Sequence, residues 1–288
     1  MNQIFDKEFA VFILTNGRPE KVITHRSLRR HGYEGKIYLI IDNLDSCRDA
    51  YIEKFGDDVI VFDKMAISKT FDTGDNFNDM RAIIYARNAT FKIASDLGIK
   101  YFIQLDDDYT NFSYRFDGDR NYRPSKVKKI GKVFEAMLKF YINTGCQSIA
   151  MAQGGDFIGG SESAMAKELM LKRKAMNSFI CSTARPFQFV GRVNEDVNTY
   201  THKASQGMLF LTTNQVSLTQ KQTQSSSGGM TEMYLDSGTY VKSFYSVMYH
   251  PSGVKVGTIG GNKGRLHHSI NWNNTAPLIL SEEYKKER

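Results

Sequence analysis

Tyr101-Phe102-Ile103-Gln104-Leu105-Asp106-Asp107-Asp108-Tyr109 is an apolar run of strand length that opens directly into three adjacent carboxylates. Three like charges in a row repel one another and prefer water, so their place at the mouth of a buried strand calls for a compensating cation. A hard divalent ion is the simplest one: Mg²⁺ and Mn²⁺ take oxygen ligands, commonly one or two carboxylates together with a substrate phosphate. The same triplet also fits a solvated acidic turn, so the flanking chain has to decide.

Upstream, Glu8–Asn16 (EFAVFILTN) is a continuous apolar run broken by Gly17-Arg18-Pro19 just before a helical stretch over 20–30. Lys36–Asp42 (KIYLIID) repeats the pattern. A helix over 46–55, capped by Asp45 or Ser46 and stopped by Gly56, then leads to a third strand over 59–62. This alternation predicts a doubly wound α/β sheet of parallel strands buried on both faces, with ligands beyond the carboxyl ends of the strands. Thr15, Asn16, Arg18 and Asp42 fall at such ends. Residues 64–80 read as a long loop, and 81–97 as a strong helix that carries Arg87 and is closed by Gly98.

Downstream, a polar aromatic stretch over 110–123 precedes a helix over 125–143 and a strand over 148–153. Four glycines within 154–160, around Phe157, suit either a close ligand approach or a hairpin loop. Short strands are expected over 175–181 and 186–190, a helix over 197–205 and a strand over 207–212. The stretch 220–229 is rich in Ser, Gln and Gly. Strand and helix signals mix over 235–248. No internal repeat and no linker divides the chain, so a single domain over 1–288 is expected.

With 41% hydrophobic and 12% aromatic residues the chain is excluded from the disordered class. No apolar run is long enough to span a membrane, and residues 1–8 are too polar for a signal peptide; the expectation is a cytoplasmic protein without a membrane partner. Cys47, Cys146 and Cys181 lack metal or disulfide spacing and fit reduced thiols. The net charge is +7, and residues 161–288 hold 15 Lys and Arg against 9 Asp and Glu. That excess suits an anionic partner such as nucleic acid, or solubility alone.

The order of these signals, with Ala86-Arg87-Asn88 on a helix, Asp106-Asp107-Asp108 at a strand end and Glu195-Asp196 opening a later helix, resembles the GT-A (Rossmann-like) glycosyltransferase fold, a mixed central sheet flanked by helices. More closely, LDDDY, KRKAMNSF, VGRVNEDVNTY, QKQTQSSSGGM, YLDSGTYVKSF and HHSINWNN resemble the TET-associated glycosyltransferases of phages. The resemblance implies transfer of a sugar from a nucleotide-sugar, a UDP-sugar foremost, to 5-hydroxymethylpyrimidine, above all 5-hydroxymethylcytosine, in phage DNA within the host cytoplasm. A nucleotide-sugar-binding half (1–110) and an acceptor-binding half (111–288) follow from it.

Roles carry over residue by residue. Asp106 and Asp108 would hold Mn²⁺ or Mg²⁺ as Lewis acid to the leaving diphosphate, with Asp107 on ribose or ligand water, although which pair of the triplet serves stays open. Thr15, Asn16, Arg18 and Asp42 would meet the nucleotide, and Arg87 would reach the diphosphate. Glu195 and Asp196 would face the acceptor, Asp196 as the base of an inverting reaction; the pair also fits plain helix-dipole complementation. His268, ahead of His267, would supply a third metal ligand. Residues 220–229 would order over the donor. Phe157, Tyr240 and Trp272 would stack on bases, while Lys172, Arg173, Lys174, Arg185, Arg192 and Lys203 would meet phosphates. A non-DNA acceptor, a nucleotidyltransferase and an inactive DNA-binding module are the rival readings.

Overall fold

A computed structural model describes residues 5, 7–75, 79–167, 175, 177–220, 231–259 and 264–275. Among these residues the core is a nine-stranded sheet. Its first half is parallel: β1 (Phe9–Leu14) lies between β2 (Ile37–Asp42) and β4 (Tyr101–Asp106), and β3 (Val59–Phe62) closes the edge. The direction changes at β8 (Ser178–Ser182), antiparallel to β4. Beyond it come β7 (Ser148–Gln153), β9 (Phe210–Gln220), β5 (Tyr109–Phe116) and β6 (Tyr122–Lys126). This is the mixed α/β sheet flanked by helices that the sequence predicts.

The unbroken apolar character of β1 has a simple cause. Phe9, Val11 and Ile13 point to one face of the sheet and Ala10, Phe12 and Leu14 to the other, and both faces are covered. On the first face lie α1 (Ile23–Arg30), α2 (Arg48–Phe55) and, after α3 (Lys64–Ser68) and α4 (Ile84–Asp96) of the opposite side, α5 (Ile130–Thr144). The second face carries α4 through Ile84, Tyr85, Ala89 and Ile93. Further along, after the single turn α6 (Ala164–Lys167), it carries α7 (Glu195–Ser205) through Val197 and Tyr200. Each such buried side chain contributes about 1.5–3 kcal/mol. Then follow α8 (Thr231–Tyr249), the separate hairpin β10 (Val254–Ile259) and β11 (Arg265–Ile270), and the turn α9 (Trp272–Thr275).

Several expectations change. The stretch 110–123 is the β5–β6 hairpin, whose outward residues are polar because water covers them. The loop over 64–80 begins with α3, which Asp63 caps by accepting from the Ala66 amide at 3.0 Å. Residues 186–190 form no strand: Phe187 and Phe189 are buried as packing against the sheet. The mixed stretch 235–248 is helical. The glycine-rich 154–160 folds as two tight helical turns, with Gly159 and Gly160 at positive φ. The three cysteines are free, and no helix among the described residues is long and apolar enough to cross a membrane.

Candidate active site

The parallel strands β1, β2 and β4 end side by side, and the residues just past them interlock. Asp107 is 1% exposed and accepts a two-pronged bond from Arg18, Nε at 2.8 Å and Nη2 at 2.7 Å, and a third from Thr15 Oγ1 at 2.6 Å. The loop after β1 is fixed further by Gly17 N on Asp45 (2.8 Å) and by Arg18 N on the Tyr51 hydroxyl (3.0 Å). Gly17 sits at φ 68°, a backbone state that favours glycine. Asp42 closes the corner, accepting from Asn16 Nδ2 and Lys64 Nζ, both at 3.0 Å.

The aspartate turn itself is anchored to α1. Thr24 Oγ1 donates to the Asp106 carbonyl at 2.6 Å and accepts from the Tyr109 amide at 2.8 Å, while Thr24 N donates to the Asp107 carbonyl at 2.9 Å. The turn is therefore held by its backbone. Of the triplet, Asp107 is the carboxylate that Arg18 grips with both nitrogens.

Arg87 sits at the centre. It is 1% exposed, and its guanidinium lies over the rings of Phe179 and Phe189, 5.3 and 5.6 Å from their centroids. Its Nη2 bonds Asp106 Oδ1 and its Nε bonds Glu195 Oε1, each at 2.9 Å. Gln104, fully buried on β4, accepts at 3.5 Å from Nη1 and donates to the Arg87 carbonyl and to Thr90 Oγ1. Arg87 thus braces two carboxylates, one at the end of β4 and one at the start of α7. A guanidinium this deeply buried needs such partners.

Glu195 and Asp196 are 7% and 6% exposed, at the start of α7. Asn194 before them is left-handed (φ 63°), with Nδ2 2.6 Å from Ser246 Oγ and 3.3 Å from His268 Nδ1. Burial, then the negative charge of Glu195, pushes the Asp196 carboxyl up to about 6 against the pull of Arg87 and Lys242. Asp106 is pushed up to about 7, again by burial first, with Asp108, Glu195 and Asp107 adding to it and Arg87 only partly offsetting. An excess of carboxylate charge of this kind fits a hard divalent cation. Among the described residues, however, no three His, Cys, Asp or Glu side chains form a metal-holding group. The expected set of Asp106, Asp108 and His268 is not assembled, and a cation here would draw the rest of its shell from phosphate and water. The rings of His267 and His268 lie 4.0 Å apart, although their Cβ atoms leave alternate faces of β11.

The predicted acceptor residues scatter. Lys172, Arg173, Lys174 and residues 221–229 lie outside the described residues. Arg192 is turned inward, 5% exposed and bonded to Asp75 (2.8 Å) and Asp79 (3.0 Å), so it ties two loops together and faces no DNA phosphate. Phe157 is core, stacked on Tyr122 under the Arg115 guanidinium. Trp272 is half-buried, with one face stacked on Tyr200 at 5.9 Å. Arg185 lies over the Tyr141 ring and Lys203 is half-buried. Tyr240 is 52% exposed and stacked on Phe244. Sequence reasoning missed Thr24, Tyr51, Gln104 and Lys64. Only Lys64, just past the end of β3, carried a positional signal.

The model of the TET-associated glycosyltransferase family matches residues 9–229, well over half of the chain. No curated protein matches it. Among solved structures, a glucosyl-3-phosphoglycerate synthase from Mycobacterium tuberculosis, in complex with Mg²⁺ and uridine diphosphate, is similar over 91% of this chain and 86% of its own. The sequence identity is 10% and the TM-score 0.45.

Proposed function

The chain belongs to the TET-associated glycosyltransferase family and is a glycosyltransferase, and from that premise we propose that it moves a sugar from a UDP-sugar to the hydroxymethyl group of 5-hydroxymethylcytosine in phage DNA, with inversion and with a divalent metal. The observation that carries the reading is the Arg87 bridge. It holds Asp106, at the donor end of β4, and Glu195, beside the candidate base, in one fixed relation.

Asp106 and Asp108 would hold Mn²⁺ or Mg²⁺, with phosphate and water completing the shell. Bound there, the cation would supply Lewis acidity to the departing diphosphate. Asn16, Asp42 and Lys64 bind the nucleoside, and Arg18 lines the corner while keeping Asp107 in place. Asp196 accepts the proton of the hydroxymethyl group as that oxygen attacks the anomeric carbon from the side opposite the diphosphate. Its raised proton affinity suits this role, because a base is most effective when its pKa lies near the working pH. Tyr240 offers a ring to a neighbouring or extruded base.

The test incubates the protein and Mn²⁺ with a panel of nucleotide-sugars and hydroxymethylcytosine DNA, followed by nucleoside digestion and mass spectrometry. A hexose or pentose increment on the modified base is expected. Release of nucleoside diphosphate without modified DNA would move the acceptor elsewhere.

A further inference from the structure

The positive charge expected of the C-terminal half has a counterpart in the N-terminal half of the chain. Arg26, Arg29 and Arg30 stand three and four residues apart on α1 and share its exposed face. Immediately beside the end of that helix runs the link from β6 to α5, with Lys126, Lys128 and Lys129 exposed. The two segments are locked together. Ile130 N donates to the His31 carbonyl at 2.9 Å, and Gly32 lies so close that a Cβ there would come within 2.7 Å of the Lys128 carbonyl. The six cations therefore form one continuous surface.

Their charge is not cancelled. Arg29 bonds the carbonyls of Tyr33 and Gly35, and Arg30 that of Thr110; these contacts orient the guanidinium groups and leave them positive. None of the six is ion-paired among the described residues, whereas the neighbouring Lys132 is, with Glu135 at 2.8 Å. The surface also starts beside the candidate active site. Thr24 of the same helix anchors the aspartate turn, and Arg30 reaches the carbonyl of Thr110, two residues past the triplet.

We propose that Arg26, Arg29, Arg30, Lys126, Lys128 and Lys129 form a docking surface for the phosphate backbone of duplex DNA, which rests on the DNA-acceptor reading above. Arg26 to Arg30 rise about 6 Å along the helix, and one strand of duplex DNA carries a phosphate per ~3.4 Å of axis, so the arginine row alone spans about two phosphates. Backbone contacts of this kind fix position and carry no sequence information. The surface would hold any duplex while the carboxylate site selects the modified base.

The test measures binding of unmodified duplex by fluorescence anisotropy over a salt series, for the parent and for the triple variant K126Q/K128Q/K129Q. Circular dichroism melting checks that the variant folds; R26Q is the second variant should the triple one melt early. The expected result is roughly tenfold or greater weakening and a log–log salt slope smaller by about 2–3 for the triple variant. Equal affinity and slope overturn the surface, as does a parent that binds no duplex or that prefers polyglutamate to DNA. Weakening of plain-duplex binding without any sugar transfer to hydroxymethylated DNA leaves the surface standing and fells the acceptor reading instead.

Discussion

Asp106 and Glu195 share one guanidinium: Arg87 bonds each at 2.9 Å through different nitrogens, so the end of β4 and the start of α7 are set by a single buried side chain. Removing it strands two carboxylates. Arg87→Met is expected to lower stability by about 3–5 kcal/mol, read as a fall in melting temperature. Arg87→Lys keeps the charge without the fork. It should melt nearer to the parent yet lose kcat by about tenfold or more with KM for the donor little changed; recovery of full kcat by lysine would show that charge alone suffices.

Asp196 should give activity its acid limb. Its pKa is raised to about 6, so the carboxyl is neutral below that pH and unable to take a proton, and kcat/KM should fall as pH drops through about 6. Asp196→Asn should erase that limb together with roughly 10²–10⁴ of the rate. Stability moves the other way. Because folding raises this pKa above the ordinary carboxylate value, the contribution of Asp196 is fully present below about 3.8 and is lost as pH rises through about 6. Denaturant melts at pH 4 and 7, parent against Asp196→Asn, check the sign.

The aspartate triplet should divide by role. Asp108→Asn is expected to abolish Mn²⁺ binding, followed by electron paramagnetic resonance, with little change in melting temperature. Asp107→Asn breaks a partly buried fork to Arg18 and should cost about 1.5–3 kcal/mol of stability. If both variants melt alike and bind Mn²⁺ alike, the division is wrong. Chelation should stop transfer by the parent, and Mn²⁺ or Mg²⁺ should restore it.

Lys64 tests the nucleoside corner. It is 12% exposed and bonded to Asp42. Lys64→Met should raise KM for the nucleotide-sugar by about tenfold while kcat holds, the pattern of a lost ground-state contact. An unchanged donor KM would place the nucleoside elsewhere.

The strands β1, β2 and β4 were legible because burial on both faces leaves almost no polar position in them. The β5–β6 hairpin was not, since β6 is exposed almost throughout and its sequence reads as polar loop. Arg87 was visible as a site residue but its direction was not: which way a helical side chain points is decided by the sheet that the helix packs on, and here that sheet offers Asp106, Gln104 and the Phe179 ring. Arg192, Phe157 and Trp272 show the same limit. Nothing local in the sequence distinguishes a cation or ring that meets a ligand from one that meets Asp75, Tyr122 or Tyr200.

The antiparallel seam between β4 and β8 has a practical consequence for dissection of the molecule. The strands β1, β2 and β4, whose ends form the proposed donor corner, all come from the first 106 residues, yet β4 is hydrogen-bonded along its far side to a strand that arrives only at Ser178. A fragment truncated after the triplet would expose the backbone of this apolar strand as an open edge, a template for association with other copies. Such a fragment should precipitate instead of binding nucleotide, and adding the remainder of the chain as a separate piece is the route by which it would be recovered.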